Sequence, residues 1–229
     1  MEDQNKKVQV RRIFDSISHR YDFLNHFLSA GVDFYWRKKA IKLSQMSKDS
    51  VLLDLACGTG DFAITAKNSG VEIIYGGDLS FNMLSHFAKK VDWINGRMLE
   101  TVAEHLPFQN GSFTNITVAF GVRNFYDIPT AFKEFHRVLS NKGRATVLEF
   151  RLPENKFVKN FYMFYFNRIL PLIGRMISKD QEAYTYLPES VGEFDQKVNL
   201  VKIFSDCGFA NVKKYSLTFG LVQIVIAEK

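Results

Sequence analysis

The sequence predicts an α/β fold: a mostly parallel sheet of seven strands, the last of them antiparallel, with helices on both faces. Three observations predict it. Short apolar runs bounded by turn residues alternate with helical stretches between about residues 51 and 150, the pattern of repeated β-α units. The run Val51-Leu-Leu-Asp-Leu55 leads directly into the glycine turn Ala56-Cys-Gly-Thr-Gly60 and then into a helical stretch. That arrangement makes a nucleotide site, with a helix N-terminus facing the ligand. Near the end, β-prone stretches at 212–216 and 221–227 are joined by a short link, so they pair antiparallel.

Taken in order, residues 1–10 are expected to be a frayed tail. Ile13, Ile17, Tyr21, Leu24 and Leu28 then recur at spacings of four, four, three and four. They mark one face of an amphipathic helix, which Gly31 ends. A second helix runs from 33 to about 43. Together they form an N-terminal cap, 1–48, over the sheet or its ligand-binding edge. Strand 51–55, helix 61–68, strand 72–78 and helix 80–90 make two β-α units, with Ser80 or Asn82 as a helix cap. A short helix end precedes a strand near 97–101, and Leu106-Pro-Phe-Gln-Asn-Gly-Ser is a turn. Residues 113–120 are a strand. Pro129 opens a helix through 139, Asn141-Lys-Gly143 stops it, and 145–150 is the next strand.

Residues 152–190 break the rhythm with an insert dense in aromatics, through which Lys159, Arg168 and Arg175 are spaced. It reads as an inserted helix packed on the core, or as a lid over an apolar substrate that touches a membrane surface; the two are compatible. Helix 193–206 resumes the fold, with Gly208 in a C-cap role. With no internal repeat or low-complexity tract, residues 1–229 read as a single domain.

Composition narrows the function classes. The net charge of +6 favours anionic surfaces, but no basic stripe supports nucleic-acid recognition. The 22 Phe and 9 Tyr are an aromatic excess that needs a structural or substrate-related home. Two cysteines, Cys57 and Cys207, are too few for a disulfide framework, so a reducing, cytoplasmic setting is expected. The polar start is unlike a signal peptide, and no apolar run reaches the roughly 18 residues of a membrane-spanning helix.

Gly58-x-Gly60-x-x-Ala63 fits the loose dinucleotide fingerprint, so the glycines alone do not choose a ligand. Two carboxylates do. Asp54 sits inside the first strand, where it would repel a pyrophosphate but could hold an ammonium group. The bland alternative is a strand-end residue capping the loop amides. Asp78 ends the second strand, 20 residues past Gly58, at the distance of a carboxylate that grips ribose hydroxyls. An adenosine with an amino-acid tail and no phosphate is S-adenosylmethionine.

These residues carry a resemblance. Arg20-Tyr-Asp-Phe-Leu-Asn25 with Trp36-Arg37, the loop Leu53–Asp61, Ala119-Phe-Gly-Val-Arg-Asn124, Arg137-Val-Leu with Val147-Leu-Glu-Phe150, and Ala183-Tyr-Thr-Tyr-Leu-Pro-Glu-Ser190 together resemble the menaquinone/ubiquinone-biosynthesis C-methyltransferase family. That family is a branch of the Rossmann-like class I S-adenosylmethionine-dependent methyltransferases. The resemblance runs from about Ile13 to the end. It implies methyl transfer to a ring carbon of a polyprenylated quinol, with demethylmenaquinol preferred as acceptor and a ubiquinone-pathway benzoquinol as the alternative. No metal is required. It also implies that Thr59 and Asp78 contact the cofactor, that Gly58 and Gly60 shape its site, that Arg37 pairs with its carboxylate, and that Tyr21 and Asn25 close over it. Val102-Ala103 stands where the family usually has a polar residue for the adenine amino group, a bond Val102 cannot make. Backbone groups, Glu100, Thr101 or Glu104 are the possible substitutes. Val102 is also the one motive for a rival reading, a non-catalytic partner that binds the cofactor weakly. Another small-molecule O- or N-methyltransferase is a further rival, opposed by the Phe-Gly-Val-Arg-Asn segment and the apolar insert.

Methylation of a quinol carbon needs close positioning, a path for the phenolic proton and donors for the oxyanion. Arg123 and Asn124 follow the fourth strand at the carboxyl edge of the sheet and are candidates for these roles. The competing reading pairs Arg123 with Asp127 or Glu149. Tyr184 and Tyr186 are candidate donors to the second ring oxygen, and His19 is a weaker candidate base. Cys57 is not expected to act as a nucleophile, because methyl transfer needs no covalent intermediate. Expected partners are the quinol, the inner face of the membrane as a peripheral contact, and a second copy of the chain.

Overall fold

The computed structural model describes residues 2–18, 29, 31–164, 168 and 182–229. Its centre is one seven-stranded sheet in the order β3-β2-β1-β4-β5-β7-β6. The strands are β1 Val51–Leu55, β2 Ile73–Asp78, β3 Met98–Glu100, β4 Phe113–Ala119, β5 Leu139–Phe150, β6 Ala210–Leu217 and β7 Val222–Glu228. All pairings among β1 to β5 are parallel, and only β7 runs antiparallel, to β5 and β6. The chain starts in the middle, builds β2 and β3 outward, then crosses back to place β4 on the other side of β1. That reversal opens a crevice at the carboxyl ends of β1 and β4, where open α/β sheets bind ligands.

Side chains alternate across each strand. Leu53 and Leu55 join one apolar layer with Ile116, Phe132, Phe135 and Phe204, while Leu52 joins the other with Trp36, Phe62, Ile74 and Phe87. By the same alternation Asp54 faces the second layer, beneath the helices Val32–Leu43 and Asp61–Asn68. Much of the Phe excess has a structural home: Phe132 stacks on Phe204 at 4.1 Å, and Phe204 meets Phe209 edge-on at 5.0 Å.

The strands and helices from 51 to 138 lie within one or two residues of expectation. Ser80 caps the helix Phe81–Lys90 by accepting from Met83 N at 3.1 Å. Asp127 caps Ile128–Val138, which carries Pro in its first turn.

Three expectations need correction. Residues 2–10 are not a frayed tail but belong to the helix Glu2–Ile17, which buries Val10 and Ile13. The expected continuation of that helix through Tyr21, Leu24 and Leu28 lies outside the described residues. The turn 141–143 does not precede the fifth strand but interrupts it: Leu139 already pairs with Phe113, and the ladder resumes at Arg144 opposite Asn115. Finally, helix 193–206 is two helices, Glu182–Lys197 and Leu200–Asp206, because Asn199 leaves the helical path to cap the second by accepting from Lys202 N. Gly208 follows with φ +90°, as a C-cap glycine should.

Candidate active site

The glycine turn after β1 is shaped by close packing. Gly58 and Gly60 have φ of +56° and +88°. A Cβ at Gly60 would lie 2.1 Å from the Phe87 ring, so only glycine fits there. Asp78, at the end of β2, accepts from Gly58 N and Ser80 N, both at 2.8 Å. Each carboxylate oxygen can accept a further bond, so the pair can still take ribose hydroxyls. Burial raises the Asp78 pKa.

Asp54 and Thr117 are register partners across β1 and β4. Thr117 Oγ1 donates to Asp54 Oδ1 at 2.7 Å, while the buried Oδ2 has no partner. Burial pushes the Asp54 pKa up to about 7, against the lowering effects of the Thr117 bond and the nearby Arg37 charge. A backbone hydrogen bond from Ala63, in the first turn of the helix Asp61–Asn68, also acts to lower it.

Arg37 is equally buried. It bonds Asp33 through Nη1 and reaches Asp61 Oδ2 at 3.5 Å through Nη2, but its Nε has no partner. Arg37, Asp54, Thr59 and Asp61 line one small chamber. The two residues that carry these unpartnered buried atoms thus line the same small space. Such groups are costly to bury unless a ligand completes them. The ammonium and carboxylate of an α-amino acid complete both.

The chamber shares Ala56, Gly58, Ala119 and Phe120 with a larger cleft of about 790 Å³. Asp78, Met83, Thr101, Val102, Ala103 and Asn124 line that cleft. Val102 and Ala103 stand where the adenine is expected. Two of the proposed substitutes for Val102 are committed elsewhere: Glu104 accepts from Tyr126 N and Asp127 N, and Glu100 pairs with Arg11 at 3.0 Å. Thr101 Oγ1 lies 3.3 Å from the carbonyls of Val102 and His105. Backbone groups, Thr101 and the second carboxylate oxygen of Glu104, residues that also line the cleft, stay open as candidates for the adenine edge.

Arg123 takes the Glu149 partner of the competing reading, not Asp127. Its Nη1 donates to Glu149 Oε1 at 2.8 Å, and Glu149 is fully buried. Burial raises the Glu149 pKa, opposed by the Arg123 charge. Arg123 Nε also donates to Ser190 Oγ at 3.3 Å. The contact joins the Phe-Gly-Val-Arg-Asn and Tyr-Thr-Tyr-Leu-Pro-Glu-Ser segments, 67 residues apart. Tyr184 falls in the helix Glu182–Lys197, but its side chain and that of Tyr186 are outside the described residues, as are Tyr21, Asn25 and His19 altogether. Arg137 clamps the turn at 106–108, donating to Leu106 O and Phe108 O. Burial raises the Cys57 thiol pKa, which fits an inert side chain.

Sequence reasoning missed several participants. Thr117, Asp33 and Asp61 orient Asp54 and Arg37; only the i,i+4 spacing of Asp33 and Arg37 hinted at this. Lys7 and Val10 line the larger cleft from the stretch expected to be a frayed tail, and Arg11 and Phe14 line it from just beyond that stretch. Phe120, with φ +59°, walls both spaces.

The sheet order, the glycine turn after β1 and the two joined spaces beside it belong to a Rossmann-like methyltransferase that uses S-adenosylmethionine. The same fold is found in a SAM-dependent methyltransferase of Thermotoga maritima, with TM-score 0.67, 18% identity, and coverage of 95% of this chain and 99% of that one. It also occurs in one of Aquifex aeolicus, with TM-score 0.59, 16% identity and coverage of 84% and 88%. More narrowly, the chain belongs to the ubiE/COQ5 methyltransferase family, whose model matches residues 1–229. It is similar to the demethylmenaquinone methyltransferase of Chlorobaculum tepidum, 42% identical with coverage of 97% of this chain and 93% of that protein. The demethylmenaquinone methyltransferase of Thermus thermophilus is 40% identical, with coverage of 95% and 100%. The ubiquinone/menaquinone biosynthesis C-methyltransferase UbiE of Geotalea uraniireducens is 40% identical, with coverage of 98% and 97%.

Proposed function

We propose that the chain methylates a ring carbon of demethylmenaquinol to give menaquinol. The observation that carries the methyl-donor half is the chamber lined by Asp54 and Arg37, each of which has a buried side-chain atom without a partner, Oδ2 and Nε. The names of relatives at 36–42% identity support the acceptor. Relatives named for both quinone pathways keep a ubiquinone-pathway benzoquinol as the second reading.

When bound, S-adenosylmethionine would supply an electrophilic methyl carbon on a sulfonium; transfer to the quinol ring carbon would break the methyl–sulfur bond, leave S-adenosylhomocysteine and release the ring carbon's proton. In this reading Asp54 holds the ammonium, Arg37 the carboxylate and Asp78 the ribose hydroxyls. Thr59, Gly58 and Gly60 shape the turn around the donor, and Val102 and Ala103 pack the adenine. Loss of the phenolic proton makes the ring carbon electron-rich. Asn124, which lines the cleft, and Arg123 beside it stabilise the resulting oxyanion. Glu149 fixes the Arg123 guanidinium, and Tyr184 is the candidate donor to the second ring oxygen. The chain acts as one domain, with the cap 1–48 and the insert 152–190 enclosing the acceptor. It works at the cytoplasmic face of a membrane, and a homodimer is compatible with this reading.

The test is calorimetric titration with S-adenosylmethionine, then assay of the same sample with a short-tailed demethylmenaquinol in detergent. Binding with ring methylation is expected. Binding with no methylation of this acceptor, but turnover of a benzoquinol, would move the assignment to the second reading. No binding at millimolar S-adenosylmethionine would sink both.

A further inference from the structure

A second polar space lies apart from the cofactor cleft. Arg151, Asp195, Lys197, Asn199, Lys214 and Gln223 line it, and none of them lines the cleft or the chamber. Arg151 follows β5, Asp195 and Lys197 close the helix Glu182–Lys197, and Lys214 and Gln223 come from β6 and β7. Lys214 is the register partner of Val225, and Ser216 that of Gln223. Side chains alternate along each strand, so Lys214 and Gln223 project from one face of the sheet. It is the face of Val225 and Leu53, opposite to the Trp36 layer.

The charges around this space are unbalanced. Of the described residues that line it, Arg151, Lys197 and Lys214 are cations, and Asp195 is the one acid. Asp195 Oδ2 accepts from Leu152 N at 3.2 Å, and its Oδ1 lies 3.6 Å from Arg151 Nε. That separation is beyond hydrogen-bond range, and Arg151 Nε is buried without a hydrogen-bond partner. Arg151 Nη2 donates to Glu154 at 3.0 Å, but the Glu154 side chain is 82% exposed, so water screens the pair. Among the described residues no acid forms an ion pair with Lys214. Burial, then the Arg151 charge, lower the Lys214 pKa, against the opposing pull of Asp195 and Glu154. Arg151 and Lys214 are thus like charges close enough to disfavour one another. Lysines on an edge strand such as β6 deter pairing with other chains. Lys213, on the opposite face, needs no more than that account; Lys214 shares a cavity with a second cation and with the buried carboxamide of Gln223.

An anion would offset these costs together. Guanidinium and ammonium groups make strong, charge-assisted bonds to oxyanions, and a carboxamide adds a neutral N–H donor. We infer that this cavity binds a small oxyanion carrying two negative charges, held by Arg151 and Lys214 with Gln223 as the neutral donor. A phosphate group and a dicarboxylate share that chemistry. Neither S-adenosylmethionine nor a quinol carries such a group, so the occupant is a further metabolite and its site stands outside methyl transfer.

The test is calorimetric titration of the full chain with inorganic phosphate and, separately, with malonate, near neutral pH in sodium chloride of matched ionic strength. Wild type is expected to bind at least one of the two with a millimolar dissociation constant. The tighter of them tells whether the natural ligand bears a phosphate or two carboxylates. Lys214→Met is expected to weaken binding at least about tenfold, the scale of a lost charged hydrogen bond. Arg151→Lys, which keeps the charge but not the fork, is expected to weaken it as well. Lys214 is exposed at the rim of the cavity, and thermal unfolding in chloride alone checks that its variant is folded. No heat beyond the chloride control at tens of millimolar of either dianion overturns the proposal. Binding that survives Lys214→Met unchanged overturns it too. Loss on Lys7→Met instead would then assign the anion to the cofactor cleft.

Discussion

Thr117 Oγ1 donates to one oxygen of Asp54 and leaves the other buried without a partner. The site is thus destabilised in the absence of ligand, as a preformed receptor for a cation must be. Asp54→Asn is expected to abolish measurable S-adenosylmethionine binding. The same substitution is expected to raise the stability of the ligand-free protein at pH 8, on the order of 1–3 kcal/mol, the difference between a buried carboxylate and a buried unpaired amide. Thermal unfolding with and without ligand checks both halves; a destabilised Asn variant would contradict the argument.

The pKa of Asp54 near 7 makes ligand binding pH-dependent. The ionised form pairs with the ligand ammonium, so each pH unit below 7 should weaken S-adenosylmethionine affinity, approaching tenfold per unit. The sign for folding is the reverse. A carboxylate whose folded pKa is raised above its unfolded value makes a favourable contribution at low pH, lost as pH rises from about 4 to 7. Calorimetric titrations of the wild type from pH 5.5 to 8.0 read the first effect; an affinity that does not change across that range would contradict it.

Arg123→Ala is expected to lower kcat at least about a hundredfold, the scale of a lost oxyanion donor. It also strands Glu149 in the core, so a loss of about 3–5 kcal/mol of stability should accompany it. Arg123→Ala/Glu149→Ala should recover much of the stability and none of the turnover. Recovery of both would reduce Arg123 to a structural partner of Glu149.

Gly60→Ala places a methyl inside the Phe87 ring at a positive φ. Strain and overpacking together should cost about 2–4 kcal/mol and weaken S-adenosylmethionine binding. Phe87→Ala in the same background should relieve the clash but leave a cavity, so the double variant tests which contribution dominates.

The helix Glu2–Ile17 is tied across the cleft by Arg11 to Glu100 and by Asp15 to Ser80 Oγ. Removing residues 2–15 should raise the S-adenosylmethionine dissociation constant about tenfold and speed its release, read by stopped-flow displacement. An unchanged release rate would mean that the helix merely rests on the cleft.

Much of this protein was decided locally. The strand-glycine-helix unit at 51–68 was legible because burial, turn chemistry and helix periodicity act over a few residues, and Asp54 and Asp78 stood out because acids inside apolar strands need a reason. The antiparallel end of the sheet followed from a link too short to cross over. What the sequence could not reveal depends on partners far along the chain. Asp54 meets Thr117 through sheet register, 63 residues away. Arg123 finds Glu149 and Ser190 only once β5 and the helix Glu182–Lys197 converge on the β4 edge. Residues 2–10, too polar to suggest order on their own, are part of a helix whose apolar side, Val10 and Ile13, is buried and whose Lys7, Val10, Arg11 and Phe14 wall the cleft. Local propensity sets which elements form; which polar atoms are left open for a ligand is settled only when distant elements have used up the rest.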